Sequence, residues 1–206
     1  MSALPVILIG AGGHALVLLD ALVESGREVL GLVDNEASLH GGTLLGLRIL
    51  GGDDALARYD RASVELVNAI GSASLERLER RRRVYESFVA RGHAFASVVH
   101  PSAVVSRHAV LARGAQVMAG AVVQAQASIG ENSIVNTGAS IDHGCRIGAH
   151  VHVAPGVTLS GDVTIGDETH VGVGATIVQG VRIGARCMVN AGAVAKDNLA
   201  DGGRHR

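Results

Sequence analysis

Aromatic residues are nearly missing from this chain: it has no tryptophan, and Tyr59, Tyr85, Phe88 and Phe95 are the only aromatics among 206 residues. Without aromatic platforms for stacking bases, and with a formal net charge of −1, the composition excludes the usual devices of nucleic-acid binding. Charge is not segregated either. Residues 1–98 carry ten arginines against twelve acidic side chains, and the remainder carries eight basic against seven acidic. Long apolar runs are also absent. Although 48% of residues are hydrophobic, glycine or polar residues break them up before the roughly 20 positions a membrane helix requires. The opening MSALPVILIG has no basic stretch ahead of its apolar run and leads into a glycine turn. It reads as a buried strand rather than an export signal. A cytoplasmic protein without a membrane segment is expected.

What the chain does have is a six-residue beat. Val99, Val105, Leu111, Val117, Val123, Ile129, Val135, Ile141, Ile147, Val153, Leu159, Ile165, Val171, Ile177, Ile183 and Val189 follow one another without a slip. Two positions ahead of each, from Ala103 to Cys187, stands a small or compact residue. A short fixed period of this kind marks a parallel β-helix, whose short strands bury their apolar residues only by stacking coil on coil. If three hexapeptides make one triangular coil, residues 18 apart stack. Gly130, Gly148, Gly166, Gly172 and Gly184 each follow a beat, and suit tight or strained backbone. The two cysteines, Cys145 and Cys187, fall on the small-residue beat and read as reduced packing residues.

The first hundred residues keep another rhythm. A strand at Pro5–Ile9, a glycine turn, a helix spaced by Leu16, Leu19 and Val23 and ending at Gly26, and a strand at Glu28–Val33 closed by Asp34 and Asn35 make a βαβ opening. A further strand over Val64–Ile70 and a charged helix from about Ser74 to Arg91 follow, with Leu75, Leu78 and Val84 facing inward. Its Arg80–Arg83 run has Glu76, Glu79 and Glu86 three or four residues away and reads as a solvated, paired face. The expected organisation is an α/β Rossmann-like half-domain over 1–98, a β-helix over 99–195 and a tail over 196–206.

Gly10, Gly12 and Ala15 fit a G-x-G-x-x-G/A turn, with Asp34 at the end of the second strand where an acid that holds ribose would sit. The physics of that turn calls for a phosphate, since its amides and the helix N-terminus favour negative charge. About 95 residues are too few for both halves of a dinucleotide fold, so a nucleotide half-site is expected; an NAD-dependent enzyme is the rival reading. His14, after Gly12-Gly13, suits hydrogen bonding to a phosphate or a sugar hydroxyl and has no part in the NAD fingerprint.

The coils resemble the left-handed β-helix of the hexapeptide-repeat acyltransferases. Together with the strand ending in Gly10-Ala-Gly-Gly-His14 and the strand ending in Asp34-Asn35, nearly the whole chain resembles the PglD/NeuD sugar acetyltransferases. The resemblance implies that Gly12, Gly13, His14, Asp34 and Asn35 hold a nucleotide-linked amino sugar or a sialic acid. It further implies acetyl-CoA as co-substrate, bound in grooves between the β-helices of a homotrimer, with His152, Gly161 and Val173 touching it. The segment Asn136–Gly148 is similar to the family's catalytic segment and makes His143 the base that takes the acceptor's proton. Imidazole suits that role because it titrates near neutrality. Asp142, adjacent to it, is taken as the second catalytic residue, helping to orient the imidazole, while Gly144 stands where many relatives carry an acid, and the end of the chain lacks the family's Gly-Val-Pro-Ala segment.

Stacking by 18 places Gly161 above His143 and Ala125 below it, His170 above His152, and Glu168 above His150 as an ordinary pair. A zinc site of the γ-type carbonic anhydrase kind needs two histidines five residues apart on one coil; no pair has that spacing, and no metal is expected. The expected activity is N-acetylation of a nucleotide-linked amino sugar for surface glycan biosynthesis. O-acetylation of sialic acid or another sugar remains open, as does a non-catalytic trimeric β-helix that senses a nucleotide.

Overall fold

The structure is a computed structural model that describes residues 3–205. Strand β1 (Val6–Ile9) is apolar throughout and wholly buried, as the central strand of a parallel sheet must be. Helix α1 (Gly13–Glu24) crosses to β2 (Val29–Val33). A small hairpin, β3 (Thr43–Leu44) and β4 (Leu47–Arg48), precedes β5 (Glu65–Asn68), and α2 (Leu75–Ala90) closes the unit. The sheet order is β2-β1-β5, all parallel.

The helix faces differ from the sequence reading in detail. In α1 the buried stripe is Ala15, Leu18, Leu19, Ala21 and Leu22, whereas Leu16 and Val23 are exposed. In α2 the buried face is Leu78, Arg81, Tyr85 and Phe88. The arginine run thus does not share one solvated face: Arg82 pairs with Glu86 and Arg83 with Glu79, but Arg81 is fully buried.

From Val98 onward, two-residue strands stack into a left-handed parallel β-helix with three sheets of six, five and seven strands. Up to Val194–Ala195 each strand pairs with those 18 residues away, as in Val122↔Ser140↔Thr158. The second residue of each strand points inward, so that Val123, Ile141, Leu159 and Ile177 form one apolar column. Each such side chain contributes roughly 1.5–3 kcal/mol by leaving water. The compact residues of the other beat, including free Cys145 and Cys187, are buried with them.

One expectation narrows here and one changes. The glycines after the beats are not left-handed; they let coils approach, since a Cβ at Gly130 would lie 2.2 Å from the Gly148 carbonyl oxygen. The left-handed residues sit at the corners and include Gly144 and Asp162. The segment expected as a tail joins the prism: Leu199 bridges to Ile183, and Arg204–His205 pairs with Met188–Val189.

The N-terminal unit lies on the outer face of the seven-stranded sheet. Val98 and Met118 share an apolar cluster with Leu18 and Leu19. Arg82 bridges at 3.0 Å to Glu168, at the corner between the five- and seven-stranded sheets. Glu168 therefore pairs with Arg82 rather than with His150, whose Nδ1 accepts from the Asn132 amide at 3.0 Å. Among the described residues no helix is long and apolar enough to cross a membrane.

Candidate active site

The first cleft opens where β1, β2 and β5 end, the usual site for ligands on an open parallel sheet. A cavity of about 400 Å³ is lined by Gly10, Gly12, Gly13, His14, Asp34, Gly71, Arg77 and Arg80. An adjoining hollow shares Gly10, Asp34, Ile70 and Arg80 and extends to Asn35 and Asp53. The predicted residues Gly12, Gly13, His14, Asp34 and Asn35 thus converge on one cleft. Arg77 and Arg80 were missed, although their spacing of three on α2 was a signal that both could face one cleft. Asp34 holds the loops together, with Oδ2 accepting from the Ala11 N–H at 2.8 Å and Oδ1 from the Glu36 N–H at 2.9 Å. Asn35 Oδ1 accepts from the Asp53 N–H at 3.1 Å.

His14 ties this cleft to the β-helix. Gln116 Nε2 donates to the Asn68 carbonyl, so its Oε1 is the acceptor and His14 Nε2–H donates to it, both at 2.8 Å. Burial and the Arg81 charge lower the His14 pKa to about 4, against a smaller upward pull from Gln116. The ring is therefore neutral, and its Nδ1 lone pair accepts hydrogen bonds. That geometry suits a sugar hydroxyl or amine that donates to it.

His143 stands at the corner between the six- and five-stranded sheets, exposed, with Gly161 one coil above on the same corner. A Cβ on Gly161 would lie 2.5 Å from His143 Cε1 and 2.6 Å from Nε2, so the ring occupies the space that the missing side chain leaves. Neither ring nitrogen of His143 and no N–H of Gly161 has a hydrogen-bond partner among the described residues. Asp142 does not orient the imidazole: its Oδ1 accepts from the main-chain N–H of His143 at 2.6 Å and fixes the corner instead. Gly144 has φ +68°, and a Cβ there would lie 2.2 Å from Asp162 Oδ1. Both facts favour glycine at this position over the acid that the family resemblance implies.

His152 lies elsewhere, on the seven-stranded sheet. Its Nδ1–H donates to the Ser72 carbonyl at 2.6 Å, leaving Nε2 to accept from the Asn136 amide at 3.0 Å. Burial, helped by neighbouring His170, lowers its pKa to about 3. With both nitrogens used, the ring offers a ligand its edge and face only. His170 stacks on it edge-on at 4.9 Å between centroids. Both line a mainly apolar cavity of about 400 Å³ with Val173, Pro155, Gly172 and Met188.

The predicted residues therefore form three groups. The seven-stranded face carries the nucleotide-sized cleft and the His152–Val173 cavity, while His143 and Gly161 occupy the corner opposite that face. A prism side of six residues spans up to roughly 20 Å, so the thickness of the prism separates the corner from both cavities. One further group, Asp20, Glu24 and His100, converges. His100 Nδ1 accepts from the Ser102 N–H, which leaves the proton on the Nε2 that faces Glu24 at 3.4 Å. A protonated Nε2 offers no lone pair to a metal ion.

Family models match the chain over residues 5–88, as a PglD N-terminal domain, and over residues 126–161, as bacterial transferase hexapeptide (six repeats). PerB from Caulobacter crescentus, in complex with CoA and GDP-perosamine, superposes with a TM-score of 0.87 at 36% identity, covering 97% of this chain and 94% of that one. The acetyltransferase domain of PglB from Neisseria gonorrhoeae, in complex with acetyl coenzyme A, gives 0.88 at 32% identity, covering 98% and 95%. WeeI from Acinetobacter baumannii, 20% identical with a TM-score of 0.78, shares the fold. The class is thus that of the hexapeptide-repeat acyltransferases, and within it of the acetyltransferases. The chain belongs to the PglD/NeuD-type sugar acetyltransferases.

Proposed function

We propose that this protein transfers acetyl from acetyl-CoA to the amine of a nucleotide-linked amino sugar, as a step toward a surface glycan. The observation that carries the reading is the corner where His143, with both ring nitrogens free, fits against Gly161, whose N–H is also free. The sugar amine attacks the thioester carbonyl and His143 takes its proton. The tetrahedral oxyanion accepts from the Gly161 N–H, and its collapse expels the CoA sulfur, which regains the proton from the imidazolium. Asp142 keeps the corner backbone in place. The relatives support an amine acceptor: a perosamine N-acetyltransferase from Caulobacter crescentus is bound to CoA and GDP-perosamine.

In the nucleotide cleft, Gly12 and Gly13 approach the diphosphate, Arg77 and Arg80 neutralise it, and Asp34 and Asn35 shape the nucleoside end. His152 and Val173 hold the apolar arm of acetyl-CoA against the seven-stranded face. Because the base lies across the prism from both cavities, one chain does not complete a site. A homotrimer with a cyclic axis brings the His143 corner of one protomer to the cleft of the next. Buried, unpaired cysteines fit a cytoplasmic setting.

The test is thiol release from acetyl-CoA with a panel of GDP- and UDP-linked amino sugars. His143→Ala lowers turnover by about 10²–10⁴ if it removes the base; turnover within about twofold of wild type rejects the assignment.

A further inference from the structure

Arg81 is a buried cation without an anion. Its side chain is fully buried, and its guanidinium meets only main-chain oxygens and one empty direction. Nη1 donates to the carbonyls of Asn68 at 2.7 Å and Ile70 at 2.8 Å, Nη2 reaches the Asn132 carbonyl at 3.4 Å, and Nε has no partner. Among the described residues no carboxylate pairs with it. Burial lowers its pKa to about 9, which still leaves it charged at neutral pH. A buried charge with no counter-ion is costly even when main-chain carbonyls accept from it.

The Ile70 contact points to a use. No described peptide bond is cis, and in a trans peptide the C=O and N–H point in opposite directions. With the Ile70 carbonyl turned toward Arg81, the N–H of Gly71, in the same peptide unit, turns away from it. That N–H has no partner among the described residues. Ile70 and Gly71 both line the cleft that holds Gly12, Gly13, Arg77 and Arg80. A cation at one end of a peptide unit pins its orientation and polarises the N–H at the other, as in a cooperative hydrogen-bond chain.

We propose that Gly71 N–H is a further donor to the diphosphate, beside the glycine turn, where a Cβ on Gly71 would lie 3.4 Å from His14 Cβ, and that Arg81 is the positioning residue that aims it. The buried charge then has a counter-ion after all, supplied by the substrate: two phosphate groups set against Arg77, Arg80, the N-terminus of α1 and, through one peptide, Arg81. The inference rests on the nucleotide-sugar reading and deepens it by naming the diphosphate as the group the buried charge serves.

The test combines calorimetry on Arg81→Met and Arg81→Lys with amide NMR of the wild-type protein, using GDP, UDP and inorganic pyrophosphate as probes. Arg81→Met should bind the best of the three at least about tenfold more weakly with acetyl-CoA affinity unchanged. Arg81→Lys should recover part of the loss. Because Arg81→Met also leaves the Ile70 and Asn132 carbonyls without a donor, its melting temperature is measured only to establish that the unliganded variant is folded before affinities are compared. In wild type the Gly71 amide proton should move downfield as pyrophosphate saturates, an observation that needs no variant to fold. An unmoved Gly71 amide, or equal nucleotide affinity in folded Arg81→Met, overturns this inference alone. If wild type binds none of the three probes, the nucleotide-sugar reading falls with it.

Discussion

The His143 ring fills the space above the Cα of Gly161, so close that a methyl group on that glycine would lie 2.5 Å from the imidazole Cε1. The two residues are 18 apart, one coil of the prism, and no substitution at 161 is neutral for the ring at 143. Gly161→Ala should therefore displace the imidazole from the free Gly161 amide. We expect turnover to drop by about 10² with the β-helix still folded, as judged by circular dichroism. Unchanged turnover would separate the ring position from the chemistry.

Gly144 makes a sharper test of the corner. Restoring the acid that many relatives carry, as Gly144→Glu, meets both the left-handed backbone and the Asp162 carboxylate at 2.2 Å from the new Cβ. Other corners tolerate non-glycine residues at positive φ, among them Gln126 and Asn132, so the clash decides the outcome. The substitution should cost about 1–3 kcal/mol of stability, measured by urea unfolding. Adding Asp162→Ala should recover most of it, and failure to recover would place the strain elsewhere.

Acid should destabilise the fold through its neutral histidines. His14 and His152 have folded pKa values lowered to about 4 and about 3 from 6.5. Below 6.5 the unfolded chain binds protons that the native chain refuses. The stabilising balance is thus present above pH 6.5 and is lost as pH falls toward 4. Each such histidine contributes a slope approaching 1.4 kcal/mol per pH unit in that window. Denaturant melts between pH 7 and 4.5 would show it; a flat profile would mean that the two rings are charged in the native state.

His152 should also be a single tautomer. The Ser72 carbonyl takes the Nδ1 proton and the Asn136 amide donates to Nε2. Two-bond proton–nitrogen spectra should report the Nδ1–H form down to about pH 5. An Nε2–H form, or titration near 6.5, would reverse the reading and free the ring to hydrogen-bond a ligand.

The prism was legible in the sequence because its physics is periodic: one aliphatic beat every six residues fixes strand, coil and register, and the stacking of Gly161 on His143 and of His170 on His152 followed from counting. What the repeat did not carry was hidden for identifiable reasons. Arg81 sits in an arginine run that looks solvated, and its partners are main-chain carbonyls, which leave no mark in a sequence. Asp142 was expected to assist the imidazole, but a backbone N–H one residue away is a nearer partner for a corner carboxylate. His14 was read from its own turn, while its partner, Gln116, lies 102 residues on. The segment after 195 lacks the beat, yet Arg204–His205 finds the open edge of the seven-stranded sheet and pairs with it.

The claim on which the rest depends is that acetyl transfer occurs at a site made by two copies of the chain. It is tested by mixing two inactive variants, His143→Ala and Arg80→Ala, through co-expression, and measuring thiol release. If the base of one protomer serves the nucleotide cleft of its neighbour, random mixing leaves about a quarter of the sites with both parts intact, and activity should recover to about that fraction of wild type. If the mixture is no more active than its parents, base and cleft belong to one chain and the shared site is wrong.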